Sequence, residues 1–521
     1  MGELSLKRIG FFLLLLGLAS GQAQTAAGAA AKKPNILFCI ADDASLVHMG
    51  AYGSTWVKTP AFDRVAKEGV LFLNAYTPNA KCSPSRACLL TGRNPWQLEE
   101  AANHWSNFPA KFGTFMEELG RNGYKTGFTG KGWGPGNPGQ LNGKRRDLSG
   151  PAYNALKTKP PTGGISNLDY AANLEKFLDE KKAEQPFVFW FGAHEPHRQY
   201  QSGSGVAKGK KRLADIDKVP PYWPDNATVR NDMLDYAFEV EYFDAQLAKM
   251  LQMLEKRGEL ENTIIVVTSD NGMSFPRVKG HVYEAANHLP LAIMWKNGIK
   301  RPGRKIQDFV SFIDLAPTFM DLTQVTPGKS TMQPIQGRSL KPVLLSDKDG
   351  WVNKNNNYVL LGRERTDVGR PNDWGYPVRG IVKENFIYTI NYEPDRWPAG
   401  NPETGFMDVD NSPTKTAALQ TKDNPAQQYI WDLNFAKKPM EELYQFDKDP
   451  FSVKNIAPEA SFAQVKKDLK AQLEKELKAQ QDPRMFGKGD LFDQYKSAND
   501  KARGYYERFM KGEELPRSGG H

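Results

Sequence analysis

The sequence predicts an α/β protein built on a large sheet flanked by helices, followed by a smaller C-terminal α+β domain with a short antiparallel sheet and a helix. Continuous apolar runs at 34–41, 187–193 and 263–269 are typical of strands buried on both faces of a sheet. Segments with helical spacing of apolar residues lie between these runs. From about residue 350, short apolar segments alternate with polar loops, which indicates a change of architecture.

Length and charge limit the possible functions. A chain of 521 residues is long enough for one large domain with a smaller one attached. The net charge of +9 suits an anionic substrate, but it is too weak and too dispersed to indicate nucleic-acid binding. Three cysteines do not support a disulfide framework.

The first 23 residues have the pattern of a secretory signal peptide. Lys7 and Arg8 precede the apolar run 9–18, which is too short to span a bilayer as a helix, and small residues follow it. Residues 24–33 are interpreted as a linker. We therefore expect export to the periplasm or the medium and no stable membrane span, with an uncleaved anchor as the alternative.

Acidic and amide side chains follow two of the predicted strands. Asp42 and Asp43 come directly after the first apolar run, and Asp270 and Asn271 follow the run 263–269. In open α/β sheets, ligands collect at the carboxyl ends of the strands. Oxygen ligands of this kind suit Ca²⁺ or Mg²⁺. Each pair taken alone could equally be a solvated turn or a helix cap.

The segment 82–93 is predicted to form a short helix with a reactive group at its start. Ser83 can cap the helix, and Gly92 suits its C-terminal stop. Cys82 would then lie at the positive end of the helix dipole, with Arg86 on the same face. This arrangement indicates an anion site with a sulfur nucleophile, or a derivative of one, at its mouth.

The pattern Cys-x-Pro-Ser-Arg followed by Leu-Thr-Gly-Arg, which begins at Cys82, resembles the signature of the formylglycine-dependent sulfatases. The nearest resemblance is to the heparan N-sulfatase members. It implies an alkaline phosphatase-like large mixed sheet and conversion of Cys82 to formylglycine by a formylglycine-generating enzyme. It also implies a metal bound by Asp42, Asp43, Asp270, Asn271 and modified Cys82. The number of oxygen ligands favours Ca²⁺ over Mg²⁺.

The resemblance also assigns sulfate-binding residues. Arg86, Lys131 and Lys279 match positions that contact the sulfate. The family usually has Gly-Lys-x-His where this chain has Gly-Lys-Gly-Trp, so Trp133 replaces an expected proton donor. We predict that Trp133 and His104 both belong to the substrate-binding residues. His104 could supply the missing group.

The segment His-Glu-Pro-His at 194–197 follows the apolar run 187–193. The resemblance gives His197 contact with the sulfate and the leaving group, and His194 a place facing the substrate. Arg365, beyond the large domain, could line the sugar pocket; the alternative is an ordinary surface position.

These observations predict a catalytic domain at 34–345, a C-terminal subdomain at 346–480 and a polar tail at 481–521. The expected activity is hydrolysis of sulfate from a sulfated carbohydrate, most like heparan N-sulfatase. Three alternatives stay open. They are an O-sulfatase acting on a mucin or algal polysaccharide, a catalytically silent glycan-binding protein, and a phosphate-transfer enzyme of the same fold.

Overall fold

The computed structural model describes residues 32–328 and 331–515 of the chain. The predicted signal peptide at 1–23, most of the linker and the last six residues lie outside the described residues. The signal peptide and the linker therefore stay predictions, as does the end of the polar tail.

A seven-stranded sheet forms the centre of the large domain. In chain order its strands are β1 (Asn35–Ala41), β2 (Val70–Tyr76), β3 (Lys125–Gly130), β4 (Phe187–Gly192), β5 (Thr263–Ser269), β6 (Leu291–Met294) and β7 (Arg304–Ser311). Their spatial order is β7-β2-β6-β5-β1-β4-β3.

Strand β1 lies between β4 and β5 and is parallel to both. Strand β6 runs antiparallel to its neighbours β5 and β2, so the sheet is mixed, as predicted. The sequence analysis did not identify β6, a four-residue strand too short to give a clear pattern. Because β1, β4 and β5 are parallel neighbours, their carboxyl ends share one edge, and the polar motifs lie there.

Helices cover both faces of this sheet, and further helices belong to the C-terminal part. The α-helices are α1 (Pro60–Glu68), α2 (Cys82–Thr91), α3 (Phe115–Arg121), α4 (Tyr170–Asp179), α5 (Ser204–Ala207), α6 (Ala227–Lys256), α7 (Glu284–Asn287), α8 (Leu315–Leu322), α9 (Lys341–Leu345), α10 (Pro413–Leu419), α11 (Gln428–Phe435), α12 (Ala463–Ala479), α13 (Leu491–Gln494) and α14 (Tyr505–Met510).

Alternate residues of β1 face two separate cores. Leu37 and Cys39 pack with the apolar residues of α1, α4 and α6, whereas Ile36 and Phe38 pack with those of α2, α3 and α8. This division follows from the two-residue period of a strand. Both faces are buried, which explains why the strand is apolar from Ile36 to Ala41.

The C-terminal part is built on a four-stranded antiparallel sheet. Its strands are β8 (Tyr358–Arg363), β9 (Val378–Lys383), β10 (Phe386–Asn391) and β11 (Glu441–Gln445), which pair in that order. Helix α12 buries Leu469, Leu473 and Leu477 in the core of this sheet, at the spacing of successive turns. The predicted short antiparallel sheet and helix of the C-terminal part are therefore confirmed.

Buried ion pairs attach the terminal segment 481–515 to the small sheet. Asp482 accepts hydrogen bonds from Arg379 Nε at 2.6 Å and Nη2 at 3.2 Å. Arg379 also pairs with Glu364 at 2.7 Å, and Arg484 binds the same carboxylate. The side chains of Arg379 and Asp482 are fully buried, so each charge depends on its partners.

All three cysteines have free, buried thiols. The sequence likewise offered no support for a disulfide framework. Within residues 32–328 and 331–515, no helix is both long enough and apolar enough to cross a membrane.

Replacing Asp482 with Asn should destabilise the fold by about 3 kcal/mol, because Arg379 would keep a buried charge with reduced compensation. The shift of the urea unfolding midpoint would measure this loss. Glu459→Gln is the control, since Glu459 pairs with Lys454 at an exposed position and should change stability by less than about 0.5 kcal/mol. Equal effects of the two substitutions would contradict the proposed role of the buried pair.

Candidate active site

The carboxyl ends of β1 and β5 bring four predicted metal ligands together. The backbone N–H of Asp43 donates to Asp270 Oδ1 at 3.1 Å, and Asn271 Nδ2 donates to Asp43 Oδ1 at 2.6 Å. Asp42, Asp43, Asp270 and Asn271 are all at most 1% exposed. The structure therefore places the four residues in one buried cluster.

Asp43 adopts a left-handed backbone conformation with a φ angle of 75°. This region is unfavourable for residues other than glycine, and such strain concentrates at functional sites. The hydrogen bond from its N–H to Asp270 holds the conformation and joins the two strand ends. The side chain of Asp43 is thereby directed towards Asn271 and Lys279.

Helix α2 delivers Cys82 to this cluster. The helix begins at Cys82, its N-cap is Lys81, and no side chain caps it, so the prediction that Ser83 is the cap was wrong. Ser83 lies inside the first turn. The predicted C-terminal stop is confirmed: Gly92 has a φ of 68° and donates its N–H to the carbonyl of Cys88 at 2.9 Å.

The thiol of Cys82 lies against the acidic cluster. Its Sγ is 3.6 Å from Asp42 Oδ1 and 4.0 Å from Asp43 Oδ1. Burial raises the pKa of Cys82 to about 12, although Lys131 and Lys279 oppose the shift. Burial thus outweighs the two lysine charges, and an unmodified Cys82 would be a protonated thiol at neutral pH.

Three cations surround the carboxylates. Arg86 Nε donates to Asp270 Oδ2 at 2.8 Å, and its Nη1 donates to the carbonyls of Lys131 and Gly132 at 2.9 and 3.0 Å. Lys131 Nζ donates to Asp42 Oδ2 at 2.6 Å, and Lys279 Nζ to Asp43 Oδ2 at 2.7 Å. Each predicted sulfate-binding cation therefore contacts a predicted metal ligand.

The two histidines of the 194–197 motif line a cavity of about 570 Å³ together with Asp42 and Lys131. His197 Nε2 is 3.9 Å from Asp43 Oδ2, and its Nδ1 is 2.6 Å from the Arg198 carbonyl. Because that carbonyl can only accept, Nδ1 carries the proton in neutral His197. Loop residues 163–166 also line this cavity.

Trp133 occupies the position where a histidine was expected. Its indole Nε1 donates to the carbonyl of Ser83 at 3.0 Å, and its ring packs edge-on against Phe108. The indole therefore contacts the first turn of α2, next to Cys82. A role in substrate binding stays a prediction.

The other two predicted substrate residues, His104 and Arg365, are joined by a backbone hydrogen bond. The backbone N–H of His104 donates to the carbonyl of Arg365 at 2.9 Å, and Arg365 Nη1 donates to the carbonyl of Tyr495 at 2.7 Å. Both side chains are buried, with exposures of 5% and 3%. Their roles towards a substrate stay predictions.

Sequence reasoning missed Asp410. Its Oδ2 is 3.1 Å from Lys279 Nζ, and one of its oxygens lies within 4.8 Å of ligand atoms of Asp43 and His197. Asp410 lies in an irregular polar stretch of the C-terminal half, where no strand end or motif marked it. Arg198 was also missed as a site residue; it lines the cavity and pairs with Asp232 through two hydrogen bonds.

The donor set fits a divalent cation. Ligand atoms of Asp42, Asp43 and Cys82 lie within 4.8 Å of one another. Asn271 Oδ1 is buried and has no hydrogen-bond partner among the described residues. Burial and the charge of Asp42 raise the pKa of Asp270 to about 7, although Arg86 and Lys131 oppose the shift. Oxygen donors of this kind suit a hard cation.

A family model and several known proteins are similar to this chain over much of its length. The family model described as Sulfatase matches residues 34–325. The chain is 28% identical over 506 residues to the human N-sulphoglucosamine sulphohydrolase, covering 90% of this chain and 93% of the relative. It is 26% identical over 492 residues to an ulvan-active sulfatase of Formosa agariphila, covering 85% and 74% respectively.

The fold is also shared with solved structures. One is described as a complex with its substrate D-glucosamine-2-N,6-O-disulfate. It superposes with a TM-score of 0.59 at 22% identity and covers 87% of this chain and 99% of that chain. The architecture of the chain is therefore the alkaline phosphatase-like one predicted from the sequence.

Calcium should raise the thermal unfolding temperature, because a cation would offset the repulsion among the buried carboxylates. At a hundred times its dissociation constant the stabilisation would be about 2.7 kcal/mol. Differential scanning calorimetry after chelation, with calcium or magnesium restored, would measure it, and magnesium should stabilise less.

Asp43→Asn should abolish this calcium response, whereas Asp347→Asn, which removes a charge from an exposed position, should preserve it. A full calcium response in the Asp43→Asn variant would show that the ion binds elsewhere.

Proposed function

This chain belongs to the sulfatase family, which comprises sulfate ester and sulfamate hydrolases, and from that premise we propose that it releases sulfate from a sulfated saccharide. The observation that carries the proposal is the position of Cys82. Its Sγ lies 3.6 Å from Asp42 and shares one buried cluster with Arg86 and Lys131. A nucleophile position surrounded by cations and acidic metal ligands suits attack on a sulfate group.

Two groups would complete the site. A calcium ion held by Asp42, Asp43, Asp270 and Asn271 would polarise sulfate oxygens. Formylglycine at position 82, as its hydrate, would supply an oxygen nucleophile and a second hydroxyl that a thiol lacks. The high pKa of the unmodified thiol supports the need for such a conversion.

The cations of the chain would bind the sulfate oxygens. Arg86 is fixed by Asp270 and by two backbone carbonyls, so its guanidinium is held in place before substrate arrives. Lys131 approaches from the end of β3 and Lys279 from the loop after β5. Positive groups from three separate elements can thus neutralise the developing charge from different sides.

Lys279 and His197 are the two candidates for donating a proton to the leaving group, and they differ in charge at neutral pH. Burial would lower the pKa of Lys279, but the carboxylates of Asp410 and Asp43 raise it well above its usual value. Burial, together with the charge of Lys279, lowers the pKa of His197 to about 3. Lys279 is therefore protonated at neutral pH, and we propose that it donates a hydrogen bond to the leaving group and stabilises the charge that develops there, although its raised pKa opposes full release of the proton. Neutral His197 offers its Nε2 as an acceptor.

The proposed substrate is a glucosamine bearing an N-sulfate, at the end of a glycan. The similarity to the N-sulphoglucosamine sulphohydrolase, which extends over nearly the whole of both chains, supports this choice. An O-sulfated polysaccharide is the second candidate, because the similarity to an ulvan-active sulfatase covers almost as much of this chain.

Cys82→Ser should lower sulfate release by roughly a thousandfold or more, because serine would not be expected to yield the aldehyde here. Ion chromatography of released sulfate measures the loss, and mass spectrometry of the peptide containing residue 82 detects the aldehyde or its hydrate. Cys88→Ala, which alters a buried cysteine of the same helix, should retain both signals. Full turnover by the serine variant, or by wild type without aldehyde, would refute the proposal.

Glucosamine N-sulfate should be hydrolysed with a kcat/KM at least about tenfold above that of N-acetylglucosamine 6-sulfate or a sulfated ulvan oligosaccharide. The three substrates would be compared at equal concentrations by sulfate release. Faster hydrolysis of either O-sulfate would favour the second candidate, and a phosphomonoester hydrolysed faster than every sulfate would favour a phosphate-transfer enzyme.

A further inference from the structure

Asp410 is an acidic side chain at a site built to attract anions. Its carboxylate is 3.1 Å from Lys279 Nζ and within 4.8 Å of Asp43 and His197. It does not belong to the four residues proposed to hold calcium. A negative charge here weakens the attraction of any anionic substrate, so its presence calls for a specific role.

The chain segment that carries Asp410 is fixed on both sides. Two residues earlier, Asp408 accepts hydrogen bonds from Arg363 at 2.9 Å and from Arg370 at 2.5 Å. Four residues later, Thr414 donates its hydroxyl to Asp232 at 2.6 Å. The backbone on either side of Asp410 is therefore held by contacts outside the proposed metal cluster, and the carboxylate itself pairs with Lys279.

The anchor at Thr414 reaches the wall of the cavity. Asp232 also binds Arg198 through hydrogen bonds of 2.7 and 2.8 Å, and the guanidinium of Arg198 lies between the rings of Tyr200 and Phe275. Arg198 lines the cavity next to His197. The Asp410 segment and the cavity wall thus share one rigid hydrogen-bond network.

Most of the Asp410 side chain is buried, including its Oδ2 against Lys279 Nζ. Its side chain is 11% exposed, close to the 10% of the neighbouring His197, which lines the cavity. An ionised carboxylate can only accept hydrogen bonds. A substrate group that meets Asp410 must therefore be a donor, such as a hydroxyl or an amine, and a second anion there would be repelled.

We propose that Asp410 is a specificity-determining residue that accepts a hydrogen bond from a donor next to the scissile sulfate and excludes saccharides with a second anionic group at that position. This inference rests on the proposed function, because it assumes that a sulfated saccharide occupies the site. It restricts the substrate to a terminal sugar that carries a free hydroxyl or amine, rather than a second sulfate, next to the scissile group.

The test compares two saccharides that differ only next to the scissile group: glucosamine N-sulfate, with a free 3-hydroxyl, and glucosamine N-sulfate carrying a 3-O-sulfate. Calorimetric binding to the Cys82→Ser variant in calcium buffer measures selection without turnover. We expect at least about tenfold tighter binding of the first saccharide. In the Cys82→Ser, Asp410→Asn double variant this ratio should fall to about threefold or less, mainly because the disulfated saccharide binds better.

The matched control is Asp367→Asn in the same Cys82→Ser background. Asp367 is a partly buried aspartate of the same C-terminal part, and it pairs with Lys81 at 4.0 Å rather than with Lys279. The Asp367→Asn substitution removes the same formal charge nearby, and it should leave the ratio of the two saccharide affinities unchanged. An equal change of the ratio in both variants would show a general electrostatic effect and would overturn the proposal.

Three further outcomes would overturn it. They are equal binding of the two saccharides, no binding of either, and an equal loss for both in the Asp410→Asn double variant, which would mean that Asp410 only holds Lys279. Failure of the proposed function is recognised separately. If wild type carrying the aldehyde releases no sulfate while the Cys82→Ser variant still shows the Asp410-dependent preference, the selection stands and the catalytic assignment fails.

Discussion

The concentration of buried like charges at one edge of the sheet is the constraint on which the rest of the site depends. Asp42, Asp43 and Asp270 are almost inaccessible to solvent, and three ionised carboxylates cannot share such a space without compensation. Arg86, Lys131 and Lys279 provide part of that compensation through direct contacts of 2.6–2.8 Å. The proposed calcium ion would provide the rest.

This constraint explains the arrangement of the surrounding elements. Two parallel strands bring the acidic pairs together, and α2 begins at the same place, so its first residue faces them. The glycine at position 130 lets β3 end close to β4: a side chain there would collide with the carbonyl of Gly192. Lys131 follows immediately and reaches Asp42. The cluster therefore depends on where strands end more than on any single loop.

Because the cluster depends on strand ends, much of it could be predicted from the sequence. The apolar strands, the acidic pairs behind them and the helix after Cys82 follow from short-range patterns, and the structure brings all of them together. The cap of α2 was assigned to Ser83 because serine is a favoured cap, but the cap is Lys81, two residues earlier, and Ser83 lies in the first turn. The four residues of β6 were too few to show a period.

Asp410 could not be found in this way for a physical reason. Its position is set by contacts between segments far apart in sequence, such as Thr414 with Asp232 and Asp408 with Arg363, and no local spacing encodes these contacts. The large domain supplies the groups that any sulfate would need, and irregular segments of the C-terminal part add a carboxylate that a sulfate alone does not need. Groups that neutralise charge are therefore visible in the strand-end motifs, whereas the proposed discrimination between sugars lies where the sequence pattern is weakest. A change of substrate preference would then require substitutions in the C-terminal segments and could leave the strand ends untouched.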